Sequence, residues 1–233
     1  MKNQYFGDVN DYRKYGLLRT LAKGNINILI SWMLSPNDGS ADGKCVQYLN
    51  DPNRWRSYDP ELFDAIHEEV MVNNRRDVAC VGEQNLIRNA SFVEAMLDGL
   101  PAARSSWLTE MRQKRSNMDL VFFDPDNGIE VPSAPKTRRN SKKYIYWEEL
   151  RETWESGLSL LVYQHFCREK RDLFIERLSD EFKRRLGSFE VHAIRTAHVI
   201  FFLVPQPQHS EILAERVQYA AEHWHAEIHV KKV

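Results

Sequence analysis

Two unbroken apolar runs constrain this chain most. One is Leu120–Phe123, inside Asp119-Leu-Val-Phe-Phe-Asp124, and the other covers residues 158–163 (LSLLVY). Neither alternates with polar residues, so neither suits a strand with one wet face. Such strands need cover on both faces, as in a parallel sheet between helices. Residues 26–32 (INILISW) give a third short run, rich in β-branched side chains. The intervening stretches carry helical spacing. Asp8 or Asn10 caps a helix to about residue 23, with Tyr12, Tyr15, Leu18 and Leu21 recurring and Gly24 as a stop. Asp59-Pro60-Glu61 starts another through Leu62, Phe63, Ile66 and Val70, with proline at the first helical position.

Further along, residues 78–81 suit a strand and parts of 91–98 and 103–115 suit helices. Residues 147–155 are helical. Residues 168–186 form a charged amphipathic helix with Leu173, Phe174, Leu178 and Phe182 inward, closed by Gly187. Residues 189–195 and 198–204 are strands joined too tightly to be anything but antiparallel. A helix over 209–224 and a strand over 227–230 complete the chain. Strands alternating with helices predict an α/β fold with a mainly parallel sheet, helices on both faces and a C-terminal antiparallel hairpin. No linker, repeat or low-complexity segment divides residues 1–233, which predicts a single domain.

Lys plus Arg is 32 and Asp plus Glu is 33, so the net charge is −1. No global basic field holds a polyanion, and nucleic-acid binding would need a local patch. No apolar run reaches membrane-spanning length. The amino-terminal residues lack the apolar core of a signal peptide, which predicts a soluble, cytoplasmic protein. Cys45, Cys80 and Cys167 have no paired spacing and read as reduced thiols rather than a disulfide frame or zinc motif.

Ligands of open α/β sheets sit beyond the carboxyl ends of the strands. Three segments fall there. The turn-rich stretch 33–44 offers Asp38, Gly39, Asp42 and Gly43, either for a ligand's ribose or as a plain surface loop. The turn Asp124-Pro125-Asp126-Asn127-Gly128 puts two carboxylates on one side of an extended chain, favouring a raised pKa or a bound cation. The same residues are also ordinary turn formers. The stretch 136–143 holds Lys136, Arg138, Arg139, Lys142 and Lys143 without an acid. It is either a solvated loop or a phosphate-binding patch beside the acidic turn, and Tyr144, Tyr146 and Trp147 offer faces for bases. His165 ends one apolar run and either faces the same crevice or caps a strand. His223, His225 and His229 read as surface histidines.

Two of these patches resemble a known family. Gly7-Asp-Val-Asn-Asp11-Tyr-Arg-Lys14-Tyr15 is similar to the amino-terminal G-N-x-x-D-x-x-K-H segment of the RlmJ-type ribosomal RNA adenine methyltransferases. Asp119-Leu-Val-Phe-Phe-Asp-Pro-Asp126 resembles their strand ending in D-P-P-Y. The order of parts also resembles that of three-Cys-motif partner proteins. The resemblance implies a Rossmann-like fold and S-adenosylmethionine as methyl donor. It places Lys14 and Tyr15 in a cofactor-binding segment and Asp124 and Pro125 in the catalytic turn. Asp126 stands for the second proline and Asn127 for the aromatic.

Three functions are open at this level. The first is an S-adenosylmethionine-dependent methyltransferase acting on an RNA or DNA base. There Asp124 orients the target amine, Asp38 and Gly39 help hold the cofactor, and 136–143 holds phosphates. The second is a Mg²⁺-dependent nuclease or phosphodiesterase using Asp124, Asp126 and Glu130, with Lys142 or Lys143 against the phosphate. The third is a non-catalytic partner subunit on a methyltransferase scaffold.

Overall fold

The computed structural model describes residues 1–40 and 42–233; Ala41, inside the turn-rich stretch, lies outside them. In chain order the helices are α1 (Val9–Leu21), α2 (Pro52–Trp55), α3 (Pro60–His67), α4 (Cys80–Glu83), α5 (Pro101–Lys114), α6 (Trp147–Glu155), α7 (Arg171–Leu186) and α8 (Ser210–His223). The strands are β1 (Ile28–Ser31), β2 (Ala90–Val93), β3 (Leu120–Phe123), β4 (Gly128–Ile129), β5 (Tyr144–Ile145), β6 (Ser159–His165), β7 (His192–Arg195), β8 (Val199–Val204) and β9 (His229–Lys232). Seven of them form one mixed sheet, ordered β2-β1-β3-β6-β8-β7-β9, while β4 and β5 pair separately.

The apolar runs are neighbours, as expected. β3 lies parallel to both β1 and β6, in the registers Ile30↔Phe122 and Phe122↔Leu161. All four β3 residues are buried. Alternate residues feed two cores. Ile28, Ile30, Leu120, Phe122 and Leu161 face α1, α3 and α8, whereas Leu29, Val121, Phe123, Leu160 and Val162 face α5, α6 and α7. Helices therefore cover both faces. β8 is antiparallel to both β6 and β7, so the tight hairpin folds back between strands that share a direction.

Several expectations give way. Residues 78 and 79 make a turn and 80 and 81 open α4, so this stretch is not a strand. Residues 91–98 hold β2 rather than a helix. Leu173 is 54% exposed and Phe189 is 96% exposed, so the inward face of α7 rests on Phe174, Leu178 and Phe182, and β7 begins only at His192. α1 is not amphipathic: ten of its residues are buried, including Asp11, Arg13 and Lys14. It runs through the interior, and Gly16 lets Trp224 approach so closely that an added Cβ would lie 2.1 Å from the indole. Beside that contact, Arg13 pairs with Glu227. Among the described residues no helix is long and apolar enough to cross a membrane.

Candidate functional site

β1 joins β2 on one side and β3 on the other, so the chain changes direction across the sheet at the carboxyl end of β1. Ser31 and Phe123 are paired there, and the Asp124 amide donates to the Ser31 carbonyl at 3.0 Å. Proline at 125 cannot donate, and the ladder stops. Just beyond β1, Met33 holds a positive φ of 46°, a left-handed conformation that non-glycine residues rarely adopt. A cavity of about 630 Å³ opens over these strand ends, lined by residues from the N-terminal segment and α1, by Asp38, Asp42 and Gly43, by the turn after β3, by Lys143 and Tyr144, and by 163–167.

Its floor is an ion cluster. The N-cap Asp8 starts α1 by accepting from the Asn10 amide at 2.9 Å, and its other oxygen accepts from the Cys45 amide at 3.0 Å. Asp11 and Lys14 follow on one face of α1, three residues apart. Lys14 Nζ lies 2.8 Å from Asp11 and 2.6 Å from Asp124. The Tyr15, Trp32 and Tyr163 rings surround it, each centroid 5.6 Å away. Burial works against the ammonium, but the two carboxylates outweigh it and push its pKa up, so Lys14 stays charged. Burial raises Asp11 to about 6 against the pull of Lys14.

Asp126 lines the same cavity as Asp124, but the expected pair of repelling carboxylates does not form. Each is matched by its own cation. The Met1 amino nitrogen lies 2.7 Å from Asp126, and Lys2 lies 3.8 Å away. Burial raises the Asp126 pKa, and these positive charges more than reverse it, leaving a net lowering. Lys2 also reaches Asp38 at 2.6 Å and the Tyr5 hydroxyl at 2.9 Å.

The turn is held from below by Gln164. Its Oε1 accepts from the Ile129 amide at 2.7 Å, and its Nε2 donates to the Asn127 carbonyl at 3.3 Å. Gly128 has φ +108°, and a Cβ there would fall 2.2 Å from Gln164 Oε1, so this motif position needs glycine. The turn then enters β4, which pairs with β5, and the Asn127 amide donates to the Lys143 carbonyl at 2.9 Å. The basic stretch is thereby a closed excursion tied at both ends to the acidic turn. Arg104 of α5 pins its far side. The guanidinium donates to Glu149 at 2.7 and 2.6 Å, to the Ser141 carbonyl at 3.2 Å and to the Tyr144 carbonyl at 3.0 Å.

The structure brings together Lys14, Asp38, Asp124, Pro125, Asp126, Asn127, Lys143, Tyr144 and His165 in the cavity wall. It leaves others out. Gly39 sits on an exposed loop with nothing within 4 Å of an added Cβ. Tyr15 is buried behind the wall, its hydroxyl donating to Asp11 at 3.2 Å. Lys136 is taken up by Glu148 and Glu149. Tyr146 and Trp147 are buried, the first donating to the Ala134 carbonyl and the second packed on Phe182, so neither presents a face to solvent. Glu130 accepts from the Trp147 amide at 2.8 Å and heads α6, away from the two aspartates. No group of three or more His, Cys, Asp or Glu positioned for a metal occurs among the described residues. Arg138, Arg139, Lys142 and Lys143 have no carboxylate within 4 Å among the described residues. Sequence reasoning missed Lys2, Tyr5 and Gln164, whose roles depend on the N-terminal segment folding back over β3 and on the β4 turn.

The wall carries six aspartates, at 8, 11, 38, 42, 124 and 126, against Lys2, Lys14, Lys143 and the Met1 amino group. Its inside is acidic, while cations collect on the excursion outside. A scan against protein-family models gives no match to this chain, and a search of curated proteins gives no significant match.

Proposed function

We propose that this chain is a Rossmann-like, S-adenosylmethionine-dependent methyltransferase acting on a base of RNA or DNA. One observation carries the reading. A cavity of ligand size, about 630 Å³, stands at the topological switch point of the sheet, with Asp124 at the carboxyl end of β3 in its floor. The strand order supports it: β1 and β3 are neighbouring interior strands, and the antiparallel β8 is inserted beside β6.

The donor set suits the cofactor. S-adenosylmethionine supplies an electrophilic methyl group on a cationic sulfur, and a wall with an excess of carboxylates stabilises a cationic ligand. Asp38, Asp42 and Asp8 would face its polar groups. Asp124 would accept a hydrogen bond from the target amine and orient it. Lys14 holds Asp124 in place through their ion pair at 2.6 Å without closing the rest of the cavity. Positioning of this kind, rather than strong acid–base chemistry, is what methyl transfer to nitrogen requires.

The test is calorimetric titration with S-adenosylmethionine, followed by Mg²⁺ in the same preparation. Saturable binding of the cofactor is expected. Absence of binding at millimolar cofactor would reject the reading, and Mg²⁺-dependent cleavage of nucleic acid in its place would favour the phosphodiesterase. Asp124→Asn should keep cofactor affinity and slow methyl transfer, because the amide nitrogen cannot accept the amine's hydrogen bond.

A further inference from the structure

We infer that α5 closes the outer edge of β2 with a side-chain clasp, Glu110 and Lys114, and that the clasp excludes a second copy of this chain from pairing through that edge. β2 is the last strand on its side of the sheet, with β1 as its neighbour. Backbone groups along a strand alternate in direction. The Asn89 carbonyl accepts from the Ile28 amide, so Ala90, Phe92 and Glu94 turn their N–H and C=O groups away from β1. An open edge of that kind is a template for another strand.

Here side chains take the place of that strand. Glu110 accepts from the Glu94 amide at 2.9 Å and from the Ala95 amide at 2.8 Å. Lys114 donates to the Phe92 carbonyl at 2.6 Å. The two lie one turn apart on α5, and Lys114 Nζ is 2.8 Å from Glu110. Burial disfavours the Glu110 carboxylate, but the two amides and Lys114 outweigh it and lower its pKa, so it stays ionised. What the clasp excludes follows from the strand itself. Ala90-Ser-Phe-Val93 has no charge and no proline, so an antiparallel copy of it meets no like charge across a two-fold axis. The opposite edge of the sheet is closed differently. β9 carries Lys231 and Lys232, which an incoming strand would have to strip of water and of their partners Glu176 and Glu190.

The experiment replaces both clasp residues, Glu110→Ala with Lys114→Ala, at helix positions where alanine is the best helix former. Circular dichroism checks the fold. Amide exchange over residues 90–95 is read by NMR, and mass by sedimentation velocity across a dilution series. In the unmodified protein the Glu94 and Ala95 amides should exchange at least tenfold more slowly than the outward Phe92 amide. In the dilute variant that protection should be lost. At submillimolar concentration the variant should form a species of twice the unmodified protein's mass, with protection returning at Glu94 and appearing at Phe92. The unmodified protein should show neither change over the same range. Ser91→Lys, added to the double variant, sets like charges across the paired strands and should abolish the doubling. Equal exchange at Phe92, Glu94 and Ala95 in the unmodified protein overturns the inference without any variant. So does a folded double variant whose mass never doubles, or a doubling that survives Ser91→Lys.

Discussion

Lys14 is the residue on which the site depends. It is a cation with two buried carboxylate partners, so Lys14→Met leaves Asp11 and Asp124 facing each other in a closed space. Removing one partner of a buried ionic group typically costs about 3–5 kcal/mol, and urea unfolding should show a loss of that order at pH 7. Asp11 gives a pH signature of known sign. Its folded pKa, about 6, lies above its unfolded value near 3.8, so the native state binds the extra proton. Its contribution is fully present at low pH and is lost as pH rises through the window from about 4 to 6. Asp11→Asn stays neutral throughout. Its stability relative to the unmodified protein should therefore rise by about 2 kcal/mol between pH 4 and pH 7. A difference that does not move with pH would show that Lys14 already compensates Asp11 in full. Asp124 and the D-P turn were legible in the sequence because a buried strand ends there. The partners Lys2 and Gln164 were not, since a polar contact between residues far apart in the chain leaves no local periodicity.

The elements that position the site are the β4–β5 clamp and the buried hub on α5. Gly128→Ala would require both a positive φ and displacement of Gln164, which sits 2.2 Å from the new carbon. About 1–3 kcal/mol of destabilisation is expected in thermal melts, together with loss of ligand binding as the turn shifts. Arg104→Lys exchanges a planar fork for a single point charge and cannot hold Glu149, Ser141 and Tyr144 at once. Trypsin should then cut the 136–143 excursion faster than in the unmodified protein, with the melting point little changed. An unchanged cleavage rate would assign the excursion's order to β4–β5 alone. At this scale long helices with clear spacing, α5 to α8, were legible to within a few residues. The short elements were not. Ser91-Phe92-Val93 and Val78-Ala79-Cys80-Val81 are both brief apolar runs, and periodicity cannot separate a four-residue strand from a buried helical turn. Leu173 and Phe189 misled for a different reason: apolar residues do occur on surfaces, and composition gives no sign of which ones.

For the molecule as a whole, a net charge of −1 conceals a division between an acidic cavity and a basic excursion. Nucleic-acid binding should therefore weaken with salt. Each phosphate neutralised on a single strand contributes about 0.7 to the slope of log K against log salt, so replacing Arg138, Arg139, Lys142 and Lys143 with Ala should reduce it by up to about 3. An unaltered slope would leave those four side chains to solvent. The same scale exposes a matter of timing in biosynthesis. β6 ends at His165, but the partner that closes its outer edge, β8, ends at Val204 and arrives only after α7 and β7. A nascent chain emerging from the ribosome thus carries the bare, apolar margin of β6 through the synthesis of nearly forty further residues. At about 5–20 residues per second that interval lasts seconds, long enough for chaperone capture or for mispairing with a neighbouring chain. Stalling translation between α7 and β8 is therefore the condition under which this protein should aggregate.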